Sequence, residues 1–150
     1  MALNIKHLEQ EILEQYTADD SNVPWIVGFS GGKDSTMLLQ LVWNVIRKEI
    51  KGLRQRPIYV VCNNTLVENP KIIQYTDKVL HKIEQAAFEQ SMPIFVERTT
   101  PRLENTFWVN LLGKGYPTPN SAFRWCTERM KINPTTEFIK RTISEVGQAI

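Results

Sequence analysis

The chain has 150 residues, of which 42% are hydrophobic and 23% are charged, and its formal net charge is +2. This composition is typical of one domain with an apolar core, and no apolar run approaches the ~20 residues that span a bilayer. The mild charge neither requires nor excludes nucleic acid, and two cysteines, Cys62 and Cys126, are too few for a disulfide framework.

The first predicted element is an amphipathic helix. Apolar residues recur at helical spacing from Ile5 to Tyr16, and Asn4 is a suitable N-cap. Such a start is unlike a basic and apolar signal peptide, so we expect a cytoplasmic protein that does not contact a membrane. Thr17 to Pro24 is predicted to be a polar linker. We therefore divide the chain into residues 1–24, a helix and linker, and residues 25–150, the main domain.

The next feature is an apolar stretch, Trp25 to Phe29, that runs directly into Ser30-Gly31-Gly32-Lys33-Asp34-Ser35-Thr36 and then into an apolar-periodic segment. This order predicts a buried strand that turns sharply into a helix. Two adjacent glycines let the backbone approach an anion closely, and the first helical amides point unpaired N–H groups at the same place. Three hydroxyl groups, the Lys33 charge and the Asp34 carboxylate, a candidate magnesium ligand, complete the pattern. The segment predicts a phosphate-binding corner; the alternative is a structural glycine-rich turn.

This corner differs from two widespread nucleotide-binding motifs. A Walker A loop would need a glycine at Val27 and a serine or threonine at Asp34. A dinucleotide fingerprint would need G-x-G-x-x-G, which the spacing of Gly28, Gly31 and Gly32 does not match. Both classes of site are therefore excluded.

Two long helices and two further strands follow in alternation. A helix from Lys33 to about Lys51 is predicted to end near Gly52 and to bury Met37, Leu38, Leu41, Val42, Val45 and Ile46. A second helix, Pro70 to Gln90, is predicted to bury Ile72, Ile73, Val79, Leu80, Ile83 and Ala87. The continuous apolar strands Pro57 to Cys62 and Pro93 to Val96 are typical of a parallel sheet covered on both faces.

The order β-α-β-α-β predicts an α/β fold whose three strands lie side by side in the order 3-2-1. Functional loops then lie at the carboxyl ends of the strands, so Asn63, Asn64 and Thr65, after the second strand, are placed beside the corner. The alternative is an asparagine-rich turn that caps the strand. Cys62, inside that strand, is predicted to be a small buried hydrophobic residue.

The last part of the chain is predicted to form helices from Leu103 to Leu112 and from Pro134 to about Gln148, separated by a long loop. That loop holds the cations Arg124, Arg129 and Lys131, which can line up against a polyanion. Aromatic residues that can form a stacking surface accompany them: Trp108, Tyr116, Phe123 and Trp125. The alternative is a satellite core with a solvated charged face. The same cations would favour the thiolate form of Cys126 if solvent reaches it.

These motifs carry a family resemblance. The corner resembles the S-G-G-x-D-S signature of the PP-loop ATP pyrophosphatases, which include phosphoadenylyl-sulfate (PAPS) reductases. Arg124-Trp125-Cys126, followed by a basic stretch and Lys131-Ile132-Asn133-Pro134, is similar to the PAPS reductase branch. The longer runs 106–117 and 123–129 resemble the DndC family of DNA phosphorothioation sulfurtransferases. The resemblance implies a Rossmann-like, adenine nucleotide alpha hydrolase-like fold with helices on both faces of the sheet. Two more strands would have to come from residues outside this chain, so the domain is expected to be truncated at its C-terminal end.

The resemblance implies an ATP-dependent reaction at the corner. Pyrophosphate would lie on Ser30 to Ser35, an oxygen of the DNA backbone would attack the α-phosphorus, and a persulfide would then displace AMP to leave a phosphorothioate. The residues implied for nucleotide binding are Ser30, Gly31, Gly32, Lys33, Asp34, Ser35, Thr36, Asn63 and Asn64. The implied catalytic residues are Lys33, Asp34, Arg124 and Lys131.

The resemblance also implies cofactors and partners. Asp34 would bind Mg²⁺, and Cys126 would be one ligand of a 4Fe-4S cluster whose other ligands come from outside this chain, because a cluster needs four thiolates. The implied partners are ATP, DNA, a cysteine desulfurase and other subunits of a DNA-sulfur modification complex. Two alternatives stay open: a sulfonucleotide reductase of the PAPS reductase type, and a non-catalytic nucleotide-binding assembly module.

Overall fold

The computed structural model describes residues 4–18, 23–48 and 56–146. Its strands are β1 (Trp25–Gly28), β2 (Ile58–Asn63) and β3 (Ile94–Thr99). Its α-helices are α1 (Ile5–Thr17), α2 (Lys33–Lys48), α3 (Pro70–Glu89), α4 (Trp125–Thr127) and α5 (Asn133–Val146). None of the described helices is both long and apolar enough to cross a membrane.

The three strands form one parallel sheet in the order β1-β2-β3. Trp25 is level with Ile58, which is level with Ile94, so all three strands begin together. Their carboxyl ends therefore lie along the same edge. The predicted α/β class and strand order are confirmed, and the fold is Rossmann-like.

Helices cover both faces of this sheet. Ile58, Val60 and Cys62 alternate along β2 and belong to the buried core that α2 and α3 complete. Tyr59 points to the opposite face, where its ring lies 5.4 Å from that of Phe138 in α5. Burial on both sides explains why β2 is continuously apolar, as predicted.

The predicted inner face of α2 is partly wrong. Met37 and Leu38 are 54% and 46% exposed, whereas Leu39 and Trp43 are buried. The stripes 38, 41, 42, 45 and 39, 42, 43, 46 both satisfy helical spacing, so periodicity alone cannot choose between them. Packing selects the stripe that includes the large Trp43 ring. The predicted stop at Gly52 lies outside the described residues.

The inner face of α3 follows the prediction with one exception. Leu80 and Ala87 are buried, and Val79 and Ile83 pack against the same core, whereas Ile72 is 51% exposed. Ile72 lies in the first turn of the helix, which begins at Pro70. The helix ends at Glu89, one residue before the predicted boundary.

The prediction for residues 103–134 is also partly wrong. The predicted helix is a 3₁₀ turn, Leu103–Asn105, followed by a π-helical turn, Val109–Gly113. The predicted loop is helical from Trp125, because α4 continues through the π-helical turn Glu128–Ile132 into α5. In that turn the Asn133 amide donates to the Glu128 carbonyl, five residues back instead of the usual four. Pro134, the next residue, has no amide hydrogen to donate, so the α-helical hydrogen-bond pattern is interrupted at these two positions.

Helix α1 packs on the same core as the sheet. Asn4 caps it, as predicted, by accepting a hydrogen bond from the amide of His7 at 3.3 Å. Tyr16 is buried, lies edge to face with Trp25 at 5.5 Å, and donates to the carbonyl of Arg56 at 3.0 Å. Half of the predicted linker, residues 19–22, lies outside the described residues.

Candidate functional site

The corner between β1 and α2 holds a glycine in a left-handed conformation. The Phe29 amide still bonds to the carbonyl of Val61 at 2.8 Å, and the chain then leaves the sheet and turns. Gly31 has φ +73°, and a Cβ there would lie 3.5 Å from the Thr76 hydroxyl and 3.8 Å from the Tyr75 ring of α3. A Cβ on Gly32 would lie 3.3 Å from Ser30 Oγ. The two glycines therefore allow a turn that larger residues would strain.

Hydroxyl groups hold this turn in place. Ser35 Oγ accepts from the Ser30 amide at 3.3 Å and donates to the Gly32 carbonyl at 3.1 Å. Thr36 Oγ1 donates to the same carbonyl at 2.7 Å. These bonds hold the loop against the start of α2, whose first amides have no partners within the helix, the arrangement that suits an anion.

Lys33 and Asp34 are the first two residues of α2, and both are exposed. Within the described ranges no three His, Cys, Asp or Glu side chains are grouped as metal ligands. A Mg²⁺ ion in a nucleotide site commonly uses one or two carboxylates plus phosphate oxygens and waters. The lone Asp34 carboxylate fits that pattern only when nucleotide phosphates supply further oxygens.

A cavity of about 290 Å³ adjoins the corner at the carboxyl ends of the strands. Of the residues predicted to bind nucleotide, it is lined by Ser30, Asn63 and Asn64, and of the predicted catalytic residues by Lys131. Sequence reasoning missed most of its wall: Phe29, Glu68, Ile73, Thr76, Asp77, Leu80, Arg98 and Thr100. Only the rule that parallel strands end at a common edge could have indicated Arg98 and Thr100, at and just beyond the end of β3.

This arrangement agrees with a family comparison. Residues 24–147 match the model of the phosphoadenosine phosphosulfate reductase domain. The chain belongs to this family. A comparison with curated proteins gave no match. Members of the family are enzymes, and membership supports a ligand that is an adenine nucleotide or a sulfonucleotide.

Asn63 and Asn64, which line the cavity of this PAPS reductase domain, use their side-chain oxygens within the protein. Asn63 Oδ1 accepts from Thr99 Oγ1 at 2.6 Å and from Thr135 Oγ1 at 3.0 Å, which joins β2, β3 and α5. Asn64 Oδ1 accepts from the Leu66 amide at 3.0 Å and closes a turn in which Leu66 has φ 64°. The amide nitrogens, rather than these oxygens, are the groups available to a nucleotide.

The two cysteines have different surroundings. Cys62 is 8% exposed and lines the cavity; burial raises the pKa of its thiol, and the nearby Glu68 carboxylate raises it further. Cys126 is half-buried in α4. The sequence has no other cysteine, so its residues alone do not fit an iron–sulfur cluster with four thiolates. No chemical step is derived through such a cluster.

The aromatic residues around α4 form a satellite core. Trp125 is 5% exposed, donates its Nε1 hydrogen to the Pro117 carbonyl at 2.9 Å, and stacks on Phe107 with 5.5 Å between centroids. Tyr116 meets Trp125 edge to face. Trp108 and Phe123 stay 57% and 44% exposed. The satellite-core interpretation is therefore confirmed for Trp125 and Tyr116, and a stacking surface stays a prediction for Trp108 and Phe123.

The three cations of this segment, Arg124, Arg129 and Lys131, also have different surroundings. Arg129 donates to Asn105 Oδ1 at 3.1 Å and to the Tyr116 hydroxyl at 2.8 Å, and its guanidinium lies over the Tyr116 ring. It therefore anchors the segment. Arg124 is exposed and does not line the cavity, whereas Lys131 is exposed and does. Lys131 is thus the cation of this segment that a ligand in the cavity would meet.

Proposed function

We propose that this domain binds ATP and transfers its adenylyl group to a phosphate-ester oxygen of the DNA backbone, as the activating step of phosphorothioate modification. The observation that carries the proposal is the continuity between the diglycine corner and the 290 Å³ cavity, since Ser30 belongs to both. An anion on the loop amides would leave the attached nucleoside beside the apolar wall of Phe29, Ile73 and Leu80. That arrangement supports a nucleotide whose phosphates lie on α2.

The adenylyl transfer needs little acid–base chemistry. The acceptor oxygen, already ionised in a phosphodiester, forms a bond to the α-phosphorus. The bond from that phosphorus to the bridging oxygen breaks, and pyrophosphate leaves with the electron pair. Loop amides and Lys33 would stabilise the charge that develops on the leaving group. Asp34 would hold Mg²⁺ against the phosphates, and the ion would add to that stabilisation.

Sulfur transfer would follow at the adenylated phosphate. A persulfide from a cysteine desulfurase attacks the phosphorus and AMP leaves with the electron pair; a thiol then cleaves the S–S bond, which yields the phosphorothioate and a disulfide. The support for DNA as acceptor is the resemblance of residues 106–117 and 123–129 to the DNA-modifying branch. Exposed Arg124 and Lys131 are suited to a polyanion.

A sulfonucleotide reductase is the second candidate, because the matching family model is that of the PAPS reductase domain. That reaction would use a cysteine as nucleophile. Cys62 is poorly suited to this role, because burial favours its protonated form. Cys126, half-buried in α4, is the better candidate within this chain.

Release of pyrophosphate from ATP tests the proposal. The full chain, with double-stranded DNA and Mg²⁺, is expected to release pyrophosphate, and Lys33→Ala is expected to lower the rate about 100-fold, the loss typical of one electrostatic group. Lys140→Ala, an exposed lysine of α5 away from the loop, is the matched control and is expected to keep the rate.

Three outcomes would contradict the proposal. Equal rates in Lys33→Ala and Lys140→Ala would remove the loop from the reaction. Turnover of a sulfonucleotide with a dithiol reductant, and none of ATP, would establish the second candidate. Binding of ATP without any pyrophosphate release, with and without DNA, would identify a non-catalytic assembly module.

A further inference from the structure

The cavity meets the diglycine loop at Ser30, and its charged lining residues are Glu68, Asp77, Arg98 and Lys131. Two are acidic and two are basic. The pairing of these four charges therefore decides which charged group, besides the phosphates on the loop, a bound nucleotide can carry.

Arg98 is neutralised by helix α3. Its Nη1 donates to Glu84 Oε1 at 3.2 Å, and its Nε lies 3.7 Å from Asp77 Oδ1. Two carboxylates thus share one guanidinium. Arg98 also connects the end of β3 to the middle of α3, so a ligand in the cavity would meet a guanidinium whose charge two carboxylates already share.

Of the two acidic residues that line the cavity, Glu68 has the weaker pairing among the described residues, because Asp77 is paired with Arg98. Glu68 is half-buried, and its described hydrogen bond is a long one, accepted from the Thr65 hydroxyl at 3.4 Å. The Cys62 thiol lines the same cavity, and its pKa is raised first by burial and next by the Glu68 carboxylate. Lys131, which is exposed and carries the opposite charge to Glu68, makes no salt bridge to another described residue.

A phosphate group on the ribose would be poorly accommodated here. Such a group carries about −1.5 to −2 charges at neutral pH and needs charge-assisted donors. The cavity offers it Lys131, opposed by Glu68, and an Arg98 guanidinium that is already shared by Asp77 and Glu84. Ribose hydroxyls and an adenine amino group, by contrast, are donors that carboxylates accept from.

We propose that Glu68 and Asp77 are specificity determinants that admit a nucleoside triphosphate with free ribose hydroxyls and exclude nucleotides with a phosphate on the ribose. The inference rests on the proposed function, because it takes the cavity as the nucleoside site. It separates ATP from 3′-phosphorylated sulfonucleotides by charge rather than by size.

Calorimetric titration of the full chain with ATP and with 3′-phospho-ATP, which differ by one phosphate group, tests this inference. We expect ATP to bind at least about tenfold tighter, because like-charge contacts are costly. In the double variant Glu68→Gln, Asp77→Asn the ratio of the two Kd values is expected to fall toward one. Glu89→Gln, also on α3 but ~18 Å along the helix from Asp77, is the matched control and is expected to keep the ratio.

The contrary results are distinguishable. A ratio near one in the unmodified chain, or tighter binding of 3′-phospho-ATP, overturns this inference and leaves the proposed function standing. A ratio that does not change in the double variant removes Glu68 and Asp77 as its cause. Failure of both nucleotides to bind overturns the proposed function and this inference together.

Discussion

Gly31 has a φ of +73°, a left-handed conformation that residues with a side chain rarely adopt. A Cβ at this position would be in van der Waals contact with Thr76 and Tyr75 of α3, so the turn lies against that helix. The corner is thus held from inside by hydroxyl groups and from outside by a neighbouring helix. A substitution at Gly31 acts on the backbone amides that would bind phosphate.

Gly31→Ala is expected to cost about 1–2 kcal/mol of unfolding free energy and to weaken ATP binding at least ~10-fold. Gly115→Ala is the matched control, because Gly115 has φ +67° but nothing lies within 4 Å of its added Cβ. That variant should show a similar loss of stability without the loss of affinity. Chemical denaturation and calorimetric titration measure the two effects. Equal loss of affinity in both variants would contradict the proposed site.

At the scale of elements, the segment from α4 to α5 is held at both ends. Asn63 joins it to the sheet through Thr135, and Trp125 anchors it to the preceding loop through Phe107 and Pro117. Lys131 lies between these anchors and faces the cavity. The position of this candidate catalytic residue therefore depends on aromatic packing that contacts no ligand.

Trp125→Ala is expected to destabilise the protein by about 3–5 kcal/mol, because it removes a buried aromatic side chain and leaves a void. Trp108→Ala, which removes a 57% exposed ring of the same residue type just before the π-helical turn Val109–Gly113, is expected to cost less than about 1 kcal/mol. Denaturant midpoints of the two variants measure the difference. Similar midpoints would mean that Trp125 is not the anchor.

At the scale of the whole molecule, β1 is an outer strand of the sheet. Within the described residues it pairs with β2 on one side only. An unpaired edge of this kind is open to strand addition. Completion of the sheet by further strands stays a prediction. The three observed strands are compatible with it.

The buried thiol of Cys62 is expected to make global stability depend on pH. Burial, and then Glu68, raise its pKa above the ordinary value of 9.0. Below that value both states are protonated; above it the unfolded state loses the proton first, so the free energy of unfolding falls as pH rises. Cys62→Val removes this contribution. Its stability relative to the unmodified chain is therefore expected to improve between about pH 7 and about pH 10, measured by denaturant titration. A constant difference would contradict the assignment.

Much of the fold could be predicted because its signals are local. The strand, diglycine turn and helix of residues 25–48 follow from composition and spacing over short windows, and the α/β order follows from repeating that pattern. The wall of the cavity could not be predicted in this way. Glu68, Asp77 and Arg98 come from three separate segments, and no short motif connects them.

The sequence by itself determined the class of fold, the parallel order of the strands and the place of the diglycine corner, because backbone conformation and hydrophobic periodicity are properties of neighbouring residues. Only the tertiary structure decided which stripe of α2 is buried, that Arg129 is an anchor while Lys131 faces the cavity, and that Arg98 is neutralised by α3. Burial and charge pairing are set by segments that lie far apart in the chain and meet only when it folds.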